Sequence, residues 1–481
     1  MRRWLIALTL VAAALGALLL AGDGHGLRRT HVTADGVPLT EVHPAGTGRR
    51  PGVVVAHGFS GSAELMAPFG DSLATQGYVV VLLDFAGHGA NTSPLPDDAA
   101  ATDASVNALQ HDLDVALAHL RSLPDVDPAR VALVGHSMGA TEVTRYAAAH
   151  PSVKATVALS LPGSSVAETD RPAHLLLLYG GLEFPGFKAA AADALAHGGP
   201  DRRASEVPGV EHISILYAPR AHRETVEWLD RNLGGPFAGR PLPSPLRRIS
   251  GTALLTLAFL VGLFPLAGVL VTGPARTEKT ERPAAVWAVG VAIGAAAIAV
   301  LLAPRLPTNQ LPIAIGGFIV GYTSVIGLLL AAYGTWRRRA QTNGHGWRLV
   351  PLIPYAVAAI AVPTSLGLTH AVPVGARWWL VPVLWAGFAV LAYGTERATG
   401  GNPLAVLAVS AVVVAALTGA AVTGLTHGFV LLAVPPLVLL FGWQALWSAA
   451  LNRLGAPPWL IAAVGSVVVA WPLGIALPLI G

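Results

Sequence analysis

The chain has 481 residues, of which 53% are hydrophobic and only 12% are charged. Because soluble domains carry about 25% charged residues, this composition excludes a chain that is soluble along its whole length. Residues 23–234 contain 15 basic and 24 acidic side chains, whereas residues 235–481 contain 14 basic and 3 acidic ones. The net charge of +4 therefore comes from the hydrophobic half and does not indicate a nucleic-acid partner. Cysteine is absent, which excludes disulfides, thiolate metal sites and cysteine nucleophiles.

Residues 1–22 read MRRWLIALTLVAAALGALLLAG, two arginines before a nearly unbroken apolar run. This segment is either a signal peptide or an uncleaved transmembrane anchor. We favour the anchor because no small-x-small cleavage site follows the apolar run. Either alternative sends the following segment out of the cytoplasm, and the anchor keeps the N-terminus in the cytoplasm.

Residues 28–234 alternate β-like and helix-like segments. Short runs rich in Val and Leu predict strands at 52–58, 78–85, 130–137, 153–161 and 174–180. The segments between and after them predict helices at 62–77, 103–123, 138–150, 187–198 and 219–234. This alternation predicts one α/β domain, a mostly parallel sheet with helices on both faces.

A linker rich in proline and glycine at residues 235–250 precedes a predicted membrane domain at 251–481. Apolar runs lie at 251–273, 284–303, 311–333, 349–368, 375–394, 403–424, 428–448 and 458–480. Each run is long enough to cross a bilayer, which takes about 20 residues. The sequence therefore predicts an all-α domain of about eight transmembrane helices, an integral membrane protein with the bilayer as a partner.

Basic residues concentrate in alternate predicted loops, at 274–283, 334–348, 395–402 and 449–457. Since cytoplasmic loops carry the excess of Lys and Arg, these loops are predicted to be cytoplasmic and residues 28–234 extracytoplasmic. The acidic residues of the segment 235–481 are Glu278, Glu281 and Glu396, and all three lie in predicted loops. Because intramembrane charges mark ion pathways, their absence argues against a proton-coupled transporter and favours a scaffold.

Gly135-His136-Ser137-Met138-Gly139 lies between a predicted strand and a predicted helix. G-x-S-x-G in this context is typical of a nucleophile elbow, a turn so sharp that side chains at the two glycine positions would collide with nearby backbone. The turn would present the Ser137 hydroxyl above the sheet, so Ser137 is the candidate nucleophile.

A serine nucleophile requires a base, and the base requires an orienting acid. His212 lies in a loop after the predicted strands and before the last helix, and His197 and His222 are weaker candidates within helices. Glu183 follows the strand at 174–180, at the end where an acid reaches a histidine. The candidate catalytic residues are therefore Ser137, His212 and Glu183, and the alternative acids are Glu168, Asp170 and Asp193.

An oxyanion requires hydrogen-bond donors. His57-Gly58-Phe59-Ser60-Gly61 follows the first predicted strand directly. The backbone amides of Phe59 and of Met138, the residue after the nucleophile, are the candidate donors.

Residues 28–234 resemble the α/β-hydrolase family, in the style of esterases, dienelactone hydrolases and serine peptidases. The resemblance rests on HGFSG at 57–61, DFAGHG at 84–89, DPARVALVGHSMGA at 127–140, LLLLYGGLEF at 175–184 and VEHISIL at 210–216. It implies that Asp84 and His88 shape a loop beside the site, as do His57, Gly58, Gly135 and Gly139. Glu183 stands where the family more often has Asp, and residues 161–173 are too short for a cap domain.

The sequence thus predicts a membrane-anchored serine hydrolase that cleaves ester or related acyl bonds of a small acyl or lipid substrate. No metal or organic cofactor is implied, and the sequence carries no signal for an oligomeric state. Two alternatives remain open. The same residues could serve an acyltransferase or a serine peptidase, or the membrane helices could form a transporter or interaction module with an accessory hydrolase domain.

Overall fold

The structure, a computed structural model, describes residues 2–22, 26–97, 102–167, 171–199, 201–235, 241–270, 282–337, 346–369 and 372–481. The chain divides into two compact units. The first comprises Ala17–Thr252, Leu366–His370 and Pro478–Gly481, and the second Met1–Gly16, Ala253–Ser365 and Ala371–Leu477. A first helix, α1 (Arg2–Ala21), precedes the strands.

The first unit contains an eight-stranded sheet. Its strands are β1 (Arg28–Ala34), β2 (Val37–His43), β3 (Arg50–Ala56), β4 (Val79–Leu83), β5 (Val126–His136), β6 (Ala155–Leu159), β7 (Leu175–Gly180) and β8 (Arg202–Val207). The strand order is β1-β2-β4-β3-β5-β6-β7-β8, with antiparallel pairing of β1 with β2 and of β2 with β4 and parallel pairing elsewhere. The prediction of a mostly parallel sheet is confirmed.

Helices cover both faces of this sheet. They are α2 (Ala67–Thr75), α3 (Asp103–Ser122), α4 (Met138–Ala149), α5 (Pro185–Ala196) and α6 (Pro219–Leu233). Because side chains alternate along a strand, Val53 and Val55 of β3 pack in one core with α2 and α6, whereas Val54 and Ala56 pack in another with α3 and α4. The two cores confirm the predicted α/β layering.

Three strands were not predicted from the sequence. The edge strands β1 and β8 read RRTHVTA and RRASEV, and their partly exposed, polar side chains lack the Val- and Leu-rich signal. Strand β2 is buried but contains Glu41 and His43, whose side chains hydrogen-bond to each other at 2.9 Å. These segments are strands because they pair with neighbouring strands. The residue pattern within one segment does not reveal such pairing.

The remaining helices are long and apolar. They are α7 (Leu246–Leu270), α8 (Arg282–Leu302), α9 (Gly316–Arg337), α10 (Leu352–Gly367), α11 (Arg377–Thr399), α12 (Pro403–Val422), α13 (Val430–Arg453) and α14 (Pro458–Ala476). In the described part of the chain, nine helices, α1 among them, have the length and composition to cross a membrane. A helical C-terminal region with apolar helices, as predicted, therefore follows the α/β domain.

The prediction that Glu396 lies in a loop is wrong. Helix α11 continues to Thr399, and Glu396 is buried within it. The helix extends past its apolar run because it packs backbone to backbone on α9: a Cβ on Gly334 of α9 would come 2.5 Å from the carbonyl carbon of Arg397. The helix ends at Thr399, because Gly400 adopts a left-handed conformation (φ 63°) and donates its amide to the carbonyl of Glu396. Glu278 and Glu281 lie outside the described residues.

Candidate active site

Ser137 occupies a strained turn between β5 and α4. Its backbone has φ 54° and ψ −117°, a conformation that costs a non-glycine residue about 1–3 kcal/mol. A Cβ on Gly135 would come 2.3 Å from the carbonyl oxygen of Gly139, and one on Gly139 would come 2.4 Å from that of His57. Both glycines are therefore required sterically, and the turn has the geometry of a nucleophile elbow.

Ser137, His212 and Glu183 form a continuous chain of hydrogen bonds. Nε2 of His212 lies 3.0 Å from the Oγ of Ser137, and Nδ1 lies 2.8 Å from Oε1 of Glu183. The side chain of Glu183 is fully shielded from solvent, and its Oε2 accepts a hydrogen bond of 2.8 Å from the amide of Gly180 at the end of β7. Since a carboxylate only accepts, Nδ1 of His212 carries the proton and Nε2 is free to accept one from Ser137.

The chain segments that carry the two candidate oxyanion donors lie next to Ser137. The loop that follows β3 lies directly against it, because a Cβ on Gly58 would come 2.9 Å from the Ser137 Cβ. Phe59 follows in this loop. Met138 is the first residue of α4, and the first amides of a helix have no intrahelical acceptor.

His57 links this loop to the one after β4. Its Nδ1 donates to the carbonyl of Gly58 at 2.8 Å, and its Nε2 accepts from the amide of Phe85 at 3.1 Å. Burial lowers the pKa of His57, so the ring stays neutral despite the opposing effect of Asp84. His57 therefore connects the two loops, and both of its ring nitrogens form hydrogen bonds.

Asp84 and His88 shape the loop after β4. The two carboxylate oxygens of Asp84 accept hydrogen bonds from the amides of Ala63 (2.7 Å) and Ala90 (2.9 Å). The buried ring of His88 lies 5.1 Å from that of His57, and its Nδ1 donates to the carbonyl of Ala86 at 2.8 Å. These contacts hold the loop after β4 in place.

Sequence reasoning missed His136, which precedes the nucleophile. Its Nε2 donates to the backbone carbonyl of His212 at 2.8 Å, and the two rings lie 4.8 Å apart. Burial, with a smaller effect of nearby His212, lowers the pKa of His136 to about 3, so it is neutral at ordinary pH. His136 therefore ties the His212 loop to the elbow. Its only sequence signal is its place as the variable residue before the serine.

Asp112 of α3 was also missed. Its Oδ2 accepts a hydrogen bond of 2.7 Å from the amide of Ala86, in the loop after β4. Burial raises the pKa of Asp112 to about 6. In the sequence it is one acid within an amphipathic helix, and only the approach of a distant loop reveals its role.

The alternative residues are placed elsewhere. His222 is buried and bonded to the hydroxyl of Ser72 (2.8 Å) and the carbonyl of Leu216 (2.9 Å). Asp193 is half-exposed and pairs with His197 at 3.1 Å. The other two candidate acids, Glu168 and Asp170, lie outside the described residues.

Exposed apolar side chains neighbour Glu183 and His212 along the chain, and one aromatic ring contacts His212. Leu182 and Phe184, on either side of Glu183, are each 68% exposed, and Ile213 beside His212 is 45% exposed. The ring of Phe187 lies 4.7 Å from that of His212. We call Leu182, Phe184, Phe187 and Ile213 the apolar rim.

A groove of about 540 Å³ continues from the apolar rim. Its wall includes both neighbours of His212 in sequence and a run of apolar side chains, namely Val207, Val210, Ile213, Tyr217, Leu246 and Ile249. An open apolar groove next to a candidate base can accommodate a nonpolar part of a ligand.

Comparisons with known proteins agree with this architecture. Residues 48–211 match the family model described as serine aminopeptidase, S33. An uncharacterized protein of Mycobacterium tuberculosis is 28% identical over 179 residues, 37% of this chain and 52% of that protein. Cutinase 1 of Thermobifida cellulosilytica is 32% identical over 109 residues, 22% of this chain and 38% of the cutinase. The chain thus spans about half, or less, of the length of these curated relatives.

Solved structures with a similar arrangement include a dienelactone hydrolase from Anabaena variabilis. It is 20% identical, with a TM-score of 0.36, and the match covers 44% of this chain and 100% of that one. A predicted CIB-like hydrolase from Thermoplasma acidophilum is 18% identical, also with a TM-score of 0.36, covering 43% and 98%. The sheet, the elbow and the family match together make the first unit an α/β-hydrolase domain.

Proposed function

We propose that this protein is a membrane-bound serine hydrolase that cleaves esters or related acyl bonds with Ser137, His212 and Glu183. The observation that carries the proposal is the hydrogen-bonded chain from Ser137 through His212 to the shielded Glu183, at 3.0 and 2.8 Å. The order of these residues along the chain, nucleophile, acid and base, also agrees with the α/β-hydrolase pattern.

The geometry supports a two-step reaction. The Oγ of Ser137 attacks the acyl carbonyl while Nε2 of His212 takes its proton, and Glu183 stabilises the resulting imidazolium. The amides of Phe59 and Met138 hold the oxyanion, and His212 then returns the proton to the departing alcohol. In the second step water gives a proton to His212 and attacks the acyl-enzyme, which releases the acid and restores Ser137.

The apolar rim favours an ester with an extended hydrocarbon part. Leu182 and Phe184 expose large apolar areas where a water-soluble, polar substrate would favour polar contacts. The adjacent groove of about 540 Å³ has room for a chain of several methylene groups. We therefore propose lipidic acyl esters as the substrate class.

A serine peptidase is the second candidate, because the matching family model is described as a serine aminopeptidase. The two activities are distinguished by comparing p-nitrophenyl esters of increasing acyl length with aminoacyl p-nitroanilides. Rates that rise with acyl length favour the esterase. Turnover of the anilides, with little use of long esters, would favour the peptidase.

The experiment that tests the proposal is labelling of purified full-length protein with a fluorophosphonate probe. Wild type should be labelled and Ser137→Ala should not. Ser165→Ala is the matched control, since Ser165 is exposed in the same domain. An unlabelled wild type with a normal thermal transition would refute the proposed nucleophile.

We also propose that the hydrolase domain lies outside the cytoplasm. The absence of cysteine allows single-cysteine labelling without background. In intact cells a membrane-impermeant maleimide should react with Ser165→Cys and Arg305→Cys but reach Arg348→Cys only after lysis. Arg305 and Arg348 lie in short 3-10 turns between long helices, and all three parent side chains are exposed. The reverse pattern would place the domain inside.

A further inference from the structure

Among the residues that the structure describes, the long apolar helices contain one buried carboxylate. Glu396, near the end of α11, is 4% exposed. The hydroxyl of Ser448 donates to its Oε1, and Nδ2 of Asn452 donates to its Oε2 at 2.8 Å. Both partners belong to α13, so Glu396 is held by neutral donors between two helices.

Cationic groups are scarce around this site. Helices α12 and α14 have no charged residue, α13 has only Arg453, α9 has only Arg337, and α11 itself has Arg377 and Arg397. Among the residues that the structure describes, the groups that interact with the Glu396 carboxylate are Ser448 and Asn452, and no arginine is among them. A buried, uncompensated carboxylate is costly, so Glu396 is stabilised by gaining a positive charge.

A small cavity adjoins the carboxyl group. Its volume is about 20 Å³, enough for a single water-sized ligand. Besides Glu396, the polar residues that line it are Thr395, Ser410, Gln444 and Ser448. The Oε1 of Gln444 is buried and accepts no hydrogen bond from the described residues. A buried acceptor of this kind is explained by a ligand that brings positive charge or a donor.

The other oxygens at the cavity also retain accepting capacity. The hydroxyl of Thr395 donates to the carbonyl of Leu391 at 2.8 Å, and that of Ser410 donates to the carbonyl of Val406 at 3.0 Å. With their protons engaged by the backbone, both oxygens keep lone pairs. The polar part of the cavity is therefore rich in acceptor oxygens, the ligands that hard cations prefer.

We propose that Glu396, with Ser410, Gln444 and Ser448, forms a binding site for one small monovalent cation, a proton or a sodium ion. The single carboxylate and the neutral oxygens carry one negative charge, which a monovalent cation neutralises. A divalent ion would leave a net positive charge among apolar side chains, at a high desolvation cost. The helical unit thus has a ligand of its own, independent of the hydrolase chemistry at Ser137.

Dicyclohexylcarbodiimide tests this site, because it adds to protonated carboxyl groups in apolar surroundings. The purified full-length protein is treated from about pH 5 to about pH 9, and the adduct is located by peptide mass spectrometry. We expect an adduct on Glu396 whose rate of formation falls about tenfold per pH unit above the carboxyl pKa. If sodium is the ligand, sodium chloride slows labelling and choline chloride does not. If the proton is the ligand, both salts act alike.

Variants sharpen the test. Glu396→Gln should remove the adduct while keeping an acceptor for Asn452. Ser410→Ala should weaken protection by sodium, whereas Thr418→Ala is the matched control, since its hydroxyl bonds within the same helix and does not line the cavity. Wild-type protein with a normal thermal transition and no adduct on Glu396 across this pH range would overturn the proposal. This result does not depend on labelling at Ser137.

Discussion

Replacing Glu183 by glutamine tests the electrostatic role of the shielded carboxylate. The carboxylate lies 2.8 Å from Nδ1 of His212 and its side chain has no exposed surface, so solvent screens the pair weakly. Two unit charges about 4 Å apart interact by about 4 kcal/mol at an effective dielectric constant of 20. Because this attraction grows as His212 becomes charged in the transition state, losing it should lower kcat by roughly a thousandfold.

The assay is kcat for a short p-nitrophenyl ester, with the rate of fluorophosphonate labelling as a second measure. Glu206→Gln on neighbouring β8 is the matched control, because its side chain is 47% exposed and pairs only loosely with Lys188, at 3.6 Å. A loss of less than tenfold for Glu183→Gln, beside a large loss for Asp193→Asn, would show that the acid lies elsewhere.

Three further predictions concern the elbow, a buried acid and the apolar rim. Gly139→Ala should destabilise the protein by about 1–3 kcal/mol and abolish probe labelling, since the new Cβ would lie 2.4 Å from the carbonyl oxygen of His57. Gly163→Ala is the control and should do neither, because the space around Gly163 is open. Burial raises the pKa of Asp112 to about 6 in the folded protein, above its value in the unfolded chain. The protonated carboxyl therefore stabilises the fold at low pH, and this contribution is lost as the pH rises through about 6. Asp112→Asn should therefore be more stable than wild type at pH 8, by up to about 3 kcal/mol in the free energy of unfolding. This difference should vanish below about pH 4. Phe184→Ser should lower kcat/KM for long-chain esters more than for acetate esters. The control is Leu195→Ser, at a side chain 40% exposed on α5, which should affect both ester classes equally. Equal losses for the two ester classes in Phe184→Ser would contradict a role of the apolar rim in binding acyl chains.

Much of the hydrolase fold could be predicted from local patterns. Strands β3 to β7 are short apolar runs, and helices α2 to α6 have helical spacing, because buried parallel strands and their covering helices impose those periods on the sequence. The positions of Ser137, Glu183 and His212 followed from the same reasoning, since side chains at the carboxyl ends of parallel strands meet at one edge of the sheet. The polar strands β1, β2 and β8 carry no such period and were missed.

Only the tertiary structure shows the role of side chains whose partners are distant in sequence. His136 and Asp112 are ordinary polar residues in sequence, and their function in holding loops arises from a carbonyl 76 residues away and an amide 26 residues away. Glu396 follows an apolar run and reads as the start of a loop, yet close packing of α11 on α9 carries the helix past it and buries it. The sequence by itself determined which segments form strands, helices and elbow, because those depend on local sterics and periodicity. Burial, pairing and charge compensation depend on which segments meet, and only the folded chain decides that.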